Sequence, residues 1–209
     1  MLRRVDGRTI GAFVAEEIAG SLGIDFFIGL PEAEDSRAGE IIVGPGTTDS
    51  IAEAEDRPLA RVGYLNLRFP VDIPNQRVWR AAEIPAANGY GDVRGLAKLY
   101  GALAQGGVLD RVRLLGRGAL GAATEERFPG NEAGFDRPMA FGAGFMPNVA
   151  HEFRPSDIAF GHSGWGGSFA YADPDAALGV AYVMNRMLGF GDRPDPRRLG
   201  LLNALYSAL

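Results

Sequence analysis

Residues 168–172 and 178–184 form two strand-like runs separated by Asp173-Pro174-Asp175. Proline fixes φ and offers no N–H, while aspartate side chains hydrogen-bond their own backbone, so this tripeptide reverses the chain. Two such runs around a tight turn predict an antiparallel hairpin. Directly before it stands Phe160-Gly-His-Ser-Gly-Trp-Gly-Gly-Ser. Its glycines let a strand bend or another group approach the backbone closely. A phosphate-cradling loop does not fit, because the closing lysine is absent and a strand follows where a helix should. After the hairpin, Asp195-Pro196 supplies an N-cap and an N1 proline. Leu199, Leu202, Leu205, Tyr206 and Leu209 then recur at helical spacing and predict a terminal helix, with the hairpin as the nearest cover for its apolar stripe.

Upstream the pattern is mostly helical. Thr9 predicts an N-cap ahead of Ile10, Phe13, Val14 and Ile18, with Gly20 and Gly23 closing the helix. The acidic, Gly- and Pro-rich stretch 31–60 predicts a long loop with one helical turn near 51–55. Residues 61–78, with Pro70 and Pro74, carry no assignment. Asp92 predicts the cap of a clear helix whose buried stripe is Val93, Leu96, Ala97, Tyr100, Leu103 and Ala104, ending at Gly106-Gly107. A further helix is expected over 111–123. These readings divide one domain of 1–209 into a mainly helical and loop region, 1–137, and a region of hairpin plus C-terminal helix, 138–209.

Composition excludes several functions. A length of 209 residues with 46% hydrophobic and 22% charged residues suits a folded core. A net charge of −5 without a dense basic cluster argues against nucleic acid as a partner. The absence of cysteine removes thiol chemistry, and the two histidines, His151 and His162, do not make a zinc site of ordinary spacing. No apolar run approaches the ~20 residues of a membrane span. The first residues lack the apolar stretch of a signal peptide, so a cytoplasmic location is expected.

The run Gly161-His162-Ser163-Gly164, the Gly-Gly-Ser edge, the Asp-Pro turn and Tyr182-Val-Met-Asn185 together resemble the class C β-lactamase-related serine hydrolases. This group includes D-Ala-D-Ala carboxypeptidases and family VIII carboxylesterases. Asn88-Gly89-Tyr90-Gly91 leading into 94–100, the Val5–Thr9 opening and the Leu-rich terminal helix extend the likeness. It implies a mixed α/β (α+β) fold of the β-lactamase/transpeptidase type. The implied reaction is acyl transfer to serine and hydrolysis of a small ester or amide, with no cofactor, metal or membrane. The same resemblance implies that His162 takes the place of the family's Lys-Thr-Gly lysine, more in keeping with the esterase branch. Ser163 and Gly164 would bind substrate, the Trp165 N–H would serve an oxyanion hole, and Tyr90 would either face substrate or staple its helix.

The family's nucleophile motif, Ser-x-x-Lys, does not occur. Lys98 is the single lysine among 21 basic residues, and Gly95 stands three positions before it. No catalytic nucleophile is therefore assigned. Tyr64-Leu65-Asn66 formally matches the second motif but falls in the wrong order. The chain is accordingly expected to be a C-terminal portion, a fragment inactive alone. As alternatives it would be a non-catalytic binding module, or half of a split enzyme needing an N-terminal complementing polypeptide. A Ser-His-Asp triad from Ser163, His162 and Asp173 or Asp157 is disfavoured, because adjacent strand residues point to opposite faces.

Overall fold

The computed structural model describes residues 1–66, 68–149, 151–153, 155–189 and 194–209, with the backbone alone described for Ser50. After a short helix α1 (Leu2–Val5), the Thr9 hydroxyl accepts the Ala12 amide and opens α2 (Ile10–Phe13). The helix widens into a π-helical turn, Val14–Ala19, and finishes as α3 (Gly20–Leu22), with Gly23 left-handed beyond it. Gly20 thus lies within the helix, and Gly23 alone ends it. The ammonium of Lys98 donates to the Leu22 carbonyl at 2.7 Å, satisfying a helix-terminal acceptor.

The stretch expected as a long loop is more ordered. Strand β1 (Phe26–Ile28) is followed by a 3₁₀ turn, Glu32–Arg37, then β2 (Ile42–Val43), α4 (Asp49–Glu55) and α5 (Pro58–Tyr64). Ala54 and Ala60, 1% and 0% exposed, are buried on α4 and α5. Helix α4 contains the helical turn expected near 51–55, whereas α5 buries only an alanine and so shows no large-side-chain periodicity. Next come a 3₁₀ turn, Ile73–Asn75, then α6 (Arg77–Ala81) and β3 (Gly89–Gly91), which pairs antiparallel with β1.

Asp92 caps α7 (Val93–Ala104) by accepting the Gly95 amide at 2.6 Å. Leu103 and Ala104 are buried, whereas Val93, placed on the stripe from sequence, is exposed. The helix expected over 111–123 is corrected in nearly its first half. Strands β4 (Val108–Leu109) and β5 (Val112–Arg113) form a hairpin, and α8 (Arg117–Thr124) begins only after it. Its two turn residues, Asp110 and Arg111, have φ of 47° and 70°. Such turns ordinarily use Asn-Gly or Gly, so an Asp-Arg turn leaves no signal. Strands β6 (Asn131–Glu132) and β7 (Arg137–Pro138) pair next. Among the described residues, the 1–137 region therefore holds six short strands and the start of a seventh besides its helices.

Four strands build the main sheet: β8 (Met146–Pro147), β9 (Phe160–Ser163), β10 (Phe169–Asp173) and β11 (Leu178–Tyr182), in spatial order β11-β10-β9-β8 and all antiparallel. The expected hairpin is its β10–β11 half. Beyond it, β12 (Arg186–Met187) runs parallel to β2. The terminal helix is α9 (Pro196–Ser207), with the Asp195 side chain accepting the Arg197 amide.

Period-two alternation assigns each face of the sheet a cover. Phe169, Tyr171 and Val180 pack with Phe153 and with Leu202 of α9, and the Phe153 and Tyr171 rings stack with centroids 5.1 Å apart. Phe160 and Ala172 pack on the other face with Leu103 and Ala104 of α7 and Leu120 of α8. The small side chains of Ala170 and Ala172 bring α7 close to the sheet. Leu209, counted in the terminal stripe, is exposed beyond the end of α9.

Candidate substrate-binding edge

Strand β9 carries His162 and Ser163, and cross-strand register fixes their faces. His162 pairs with Ala170, and Ser163 pairs with Phe169. His162 therefore points to the α7 side and Ser163 to the α9 side. The Gly164 amide donates to the Ser168 carbonyl at 2.7 Å. Because ladder bonds alternate, the main-chain groups of Ser163 face away from β10, towards the far edge of the sheet. On that edge β8 reaches only Phe160 and Gly161. Among the described residues, no strand covers the edge from His162 onward.

The glycine-rich segment is a clamped turn. The Gly167 N–H closes on the Gly164 carbonyl at 3.1 Å, placing Trp165 second in the turn with its N–H outside that bond. Gly166 and Gly167 have φ of 89° and 113°, which side-chain-bearing residues rarely adopt. A Cβ on Gly166 would press on the side chains of Met184 and Met187, and one on Gly167 would overlap the Arg197 guanidinium. These two glycines thus serve close approach by this chain's own side chains. Trp165 itself is 52% exposed beside the open edge.

The imidazole of His162 reaches solvent, yet desolvation by the surrounding chain lowers its pKa from the usual histidine value, against the opposing pull of Glu152. At neutral pH it is therefore an uncharged ring that can donate through one nitrogen and accept through the other. The Ser163 hydroxyl donates to the Glu152 carboxylate at 3.0 Å, and the same oxygen takes Nη1 of Arg198 at 3.1 Å. With its hydrogen committed, Ser163 offers a ligand only lone pairs. Glu152 and Arg198 have no motif signature: one lies eleven residues before Ser163 in an irregular segment, the other among many arginines.

The triad alternative is not assembled. Ser163 bonds Glu152 instead of His162, Asp157 lies 3.6 Å from His151, and Asp173 is buried where it accepts from Tyr206. Tyr90 sits on β3, and its hydroxyl donates to the Pro74 carbonyl at 3.2 Å. Burial there raises its pKa. Its hydroxyl contact thus lies on the 3₁₀ turn Ile73–Asn75, and its strand partner is Phe27. Two open clefts, of about 510 and 640 Å³, are also present. The first lies between the π-helical turn and α7, the second beside α8, and neither is lined by His162, Ser163 or Trp165.

Comparison with known proteins places this geometry. Residues 1–204 match the family described as Beta-lactamase. Over 201 residues the chain is 32% identical to the esterase/β-lactamase LipL of Mycobacterium tuberculosis (strain ATCC 25618 / H37Rv), covering 90% of this chain and 46% of that protein. The structure superimposes on a family VIII carboxylesterase with a TM-score of 0.87 and 38% identity, covering 99% of this chain and 54% of that one. A penicillin-binding protein homolog from Caulobacter crescentus gives a TM-score of 0.81 at 38% identity, with the same coverage of 99% and 54%. The chain thus spans about half the length of these relatives.

These findings correct the expectation of a C-terminal portion, or fragment, since the match runs through residues 1–204 and the superpositions through 99% of the chain. The alternative of an N-terminal complementing polypeptide is withdrawn on the same ground. That expectation rested on one missing motif, which does not report on packing: α7 and α9 cover both faces of the sheet from within the chain. The chain belongs to the β-lactamase family.

Proposed function

We propose that the β9 edge is the substrate-facing strand for hydrolysis of a small ester or amide, with His162, Ser163, Gly164 and Trp165 as its wall. The observation that carries this reading is the short reach of β8, which among the described residues leaves the edge from His162 onward without a strand partner beside an exposed tryptophan. An uncharged His162 hydrogen-bonds a carbonyl or leaving-group oxygen without placing a fixed cation there. The Trp165 N–H, outside the turn's own bond, meets the negative charge that develops on a carbonyl oxygen as it becomes tetrahedral. Esters are favoured over amides because relatives at 32% and 38% identity are described as an esterase/β-lactamase and a carboxylesterase. No serine here has a lysine three positions on, so the proposal assigns the substrate strand and no nucleophile. Titrating methyl butyrate into the ¹⁵N-labelled chain tests it. Amide shifts concentrated at residues 162–167 are expected. No shifts, or shifts centred on the cleft lined by Arg94 and Lys98, would overturn it.

A further inference from the structure

The first turn of α9 sends two consecutive guanidinium groups to opposite ends of the β9 edge. Arg197 donates through Nη2 to the Gly166 carbonyl at 2.9 Å and through Nη1 to the Arg186 carbonyl at 2.9 Å. It is itself held by Asp195, the N-cap of the same helix, at 2.6 Å. Its guanidinium also lies over the Tyr182 ring, 5.8 Å from the centroid. The Gly166 carbonyl accepts a second bond, from the Leu188 amide at 3.2 Å. This end of the edge is therefore fixed by α9 and by the chain leading into β12 together.

Arg198 fixes the other end indirectly. Its side chain is 12% exposed and reaches Glu152, which in turn takes the hydrogen of Ser163. Carboxylates paired in this way hold a donor's direction well, since the ion pair restrains the acceptor and charge-assisted bonds are short and strong. The segment between these two anchors is Ser163–Gly166. It contains the Trp165 N–H and begins one residue after His162.

We infer that Arg197, Arg198 and Glu152 are positioning residues for the substrate strand, forming a clamp that sets where the Trp165 N–H and the Ser163 oxygen stand relative to a bound ester. The inference rests on the functional reading of the edge given above. None of the three needs to touch substrate: each acts through a backbone carbonyl or the Ser163 hydroxyl. The clamp also explains the glycine at 167, because any side chain there would displace the Arg197 guanidinium.

The test joins two readouts on the full chain: amide hydrogen exchange at Gly164 and Gly167, both hydrogen-bonded within the edge, and the affinity for methyl butyrate. Glu152→Ala should speed exchange at these amides and weaken ester binding by roughly ten-fold, short of the hundred-fold that a 1 Å misplacement can cost. Exchange in β11 should not change. Glu152→Gln keeps an acceptor for Ser163 and should recover most of both losses. Arg197→Lys, chosen to preserve the charge beside Asp195, should speed exchange at Gly167 more than at Gly164. Unchanged edge exchange and ester affinity in Glu152→Ala and Arg197→Lys would overturn the inference. So would a uniform rise in exchange across the sheet, which marks a merely structural role. If wild type binds no ester, the functional reading itself fails and positioning of substrate falls with it. Altered exchange without altered affinity also rejects positioning, while leaving the functional reading intact.

Discussion

Gly179 of β11 meets Gly101 of α7 where the helix crosses the sheet, so closely that a Cβ at Gly179 would overlap the Gly101 backbone and the Ala97 carbonyl. The relation is one-sided, since a Cβ at Gly101 would meet nothing within 4 Å. Gly179→Ala should therefore force α7 off the sheet and destabilise the fold by about 1–3 kcal/mol, the usual range for overpacking. Gly101→Ala should be neutral, or stabilising by up to about 1 kcal/mol through helix propensity. Urea denaturation of the two variants checks this, and equal effects would contradict it.

On the opposite face, Leu202 is 2% exposed between α9 and the stacked rings of Phe153 and Tyr171. Leu202→Ala removes buried methyl groups and leaves a void that aromatic rings cannot readily fill. A loss of about 2–5 kcal/mol is expected. A thermal midpoint matching wild type would show that α9 is not docked on this face.

Tyr206 of α9 donates a 2.6 Å hydrogen bond to Asp173, which is 1% exposed and also accepts the amides of Asp175 and Ala176. Tyr171 lies 3.2 Å from the same hydroxyl, and burial pushes its pKa up to about 12. Tyr206→Phe keeps the ring but takes the donor from one carboxylate oxygen, at a cost of about 1–3 kcal/mol. Equilibrium unfolding at pH 7 measures this loss.

The pH behaviour of His162 follows from the sign of its shift. Its folded pKa lies below the ordinary value because burial disfavours the imidazolium. The unfolded chain then binds more protons in the window between the folded value and the unfolded value of about 6.5. The contribution of His162 to stability is thus fully present above the unfolded value and is lost as pH falls through the folded one. Glu152 pulls the other way, so Glu152→Gln should lower the His162 midpoint further. With only two histidines in the chain, ring-proton NMR can follow both. A midpoint raised by Glu152→Gln would contradict the assigned electrostatics.

The parts of the fold legible in the sequence are those where local chemistry and tertiary packing agree. Asp173-Pro174-Asp175 fixes the β10–β11 turn, and Thr9, Asp92 and Asp195 all cap helices as their side chains dictate. Helix α5 escapes because its buried contact is an alanine, and the β4–β5 turn escapes because Asp110 and Arg111 adopt left-handed conformations without glycine. The site divides in the same way. His162, Ser163 and Trp165 announce themselves through their glycine-rich setting, and alternation already separates the faces of His162 and Ser163. Glu152 and Arg198 do not, because their roles arise from a helix and an irregular segment that meet only in the folded chain. The missing Ser-x-x-Lys motif bears on the nucleophile alone, while the family match runs over residues 1–204.

The most direct test of the central claim is a crystal structure of the chain with an aryl alkylphosphonate, whose tetrahedral phosphorus mimics the species formed during ester hydrolysis. A phosphonyl oxygen about 3 Å from the Trp165 N–H is expected, with the ligand lying along the β9 edge beside His162. A phosphonate bound in the cleft lined by Arg94 and Lys98, or bound at the β9 edge without engaging the Trp165 N–H, would contradict it.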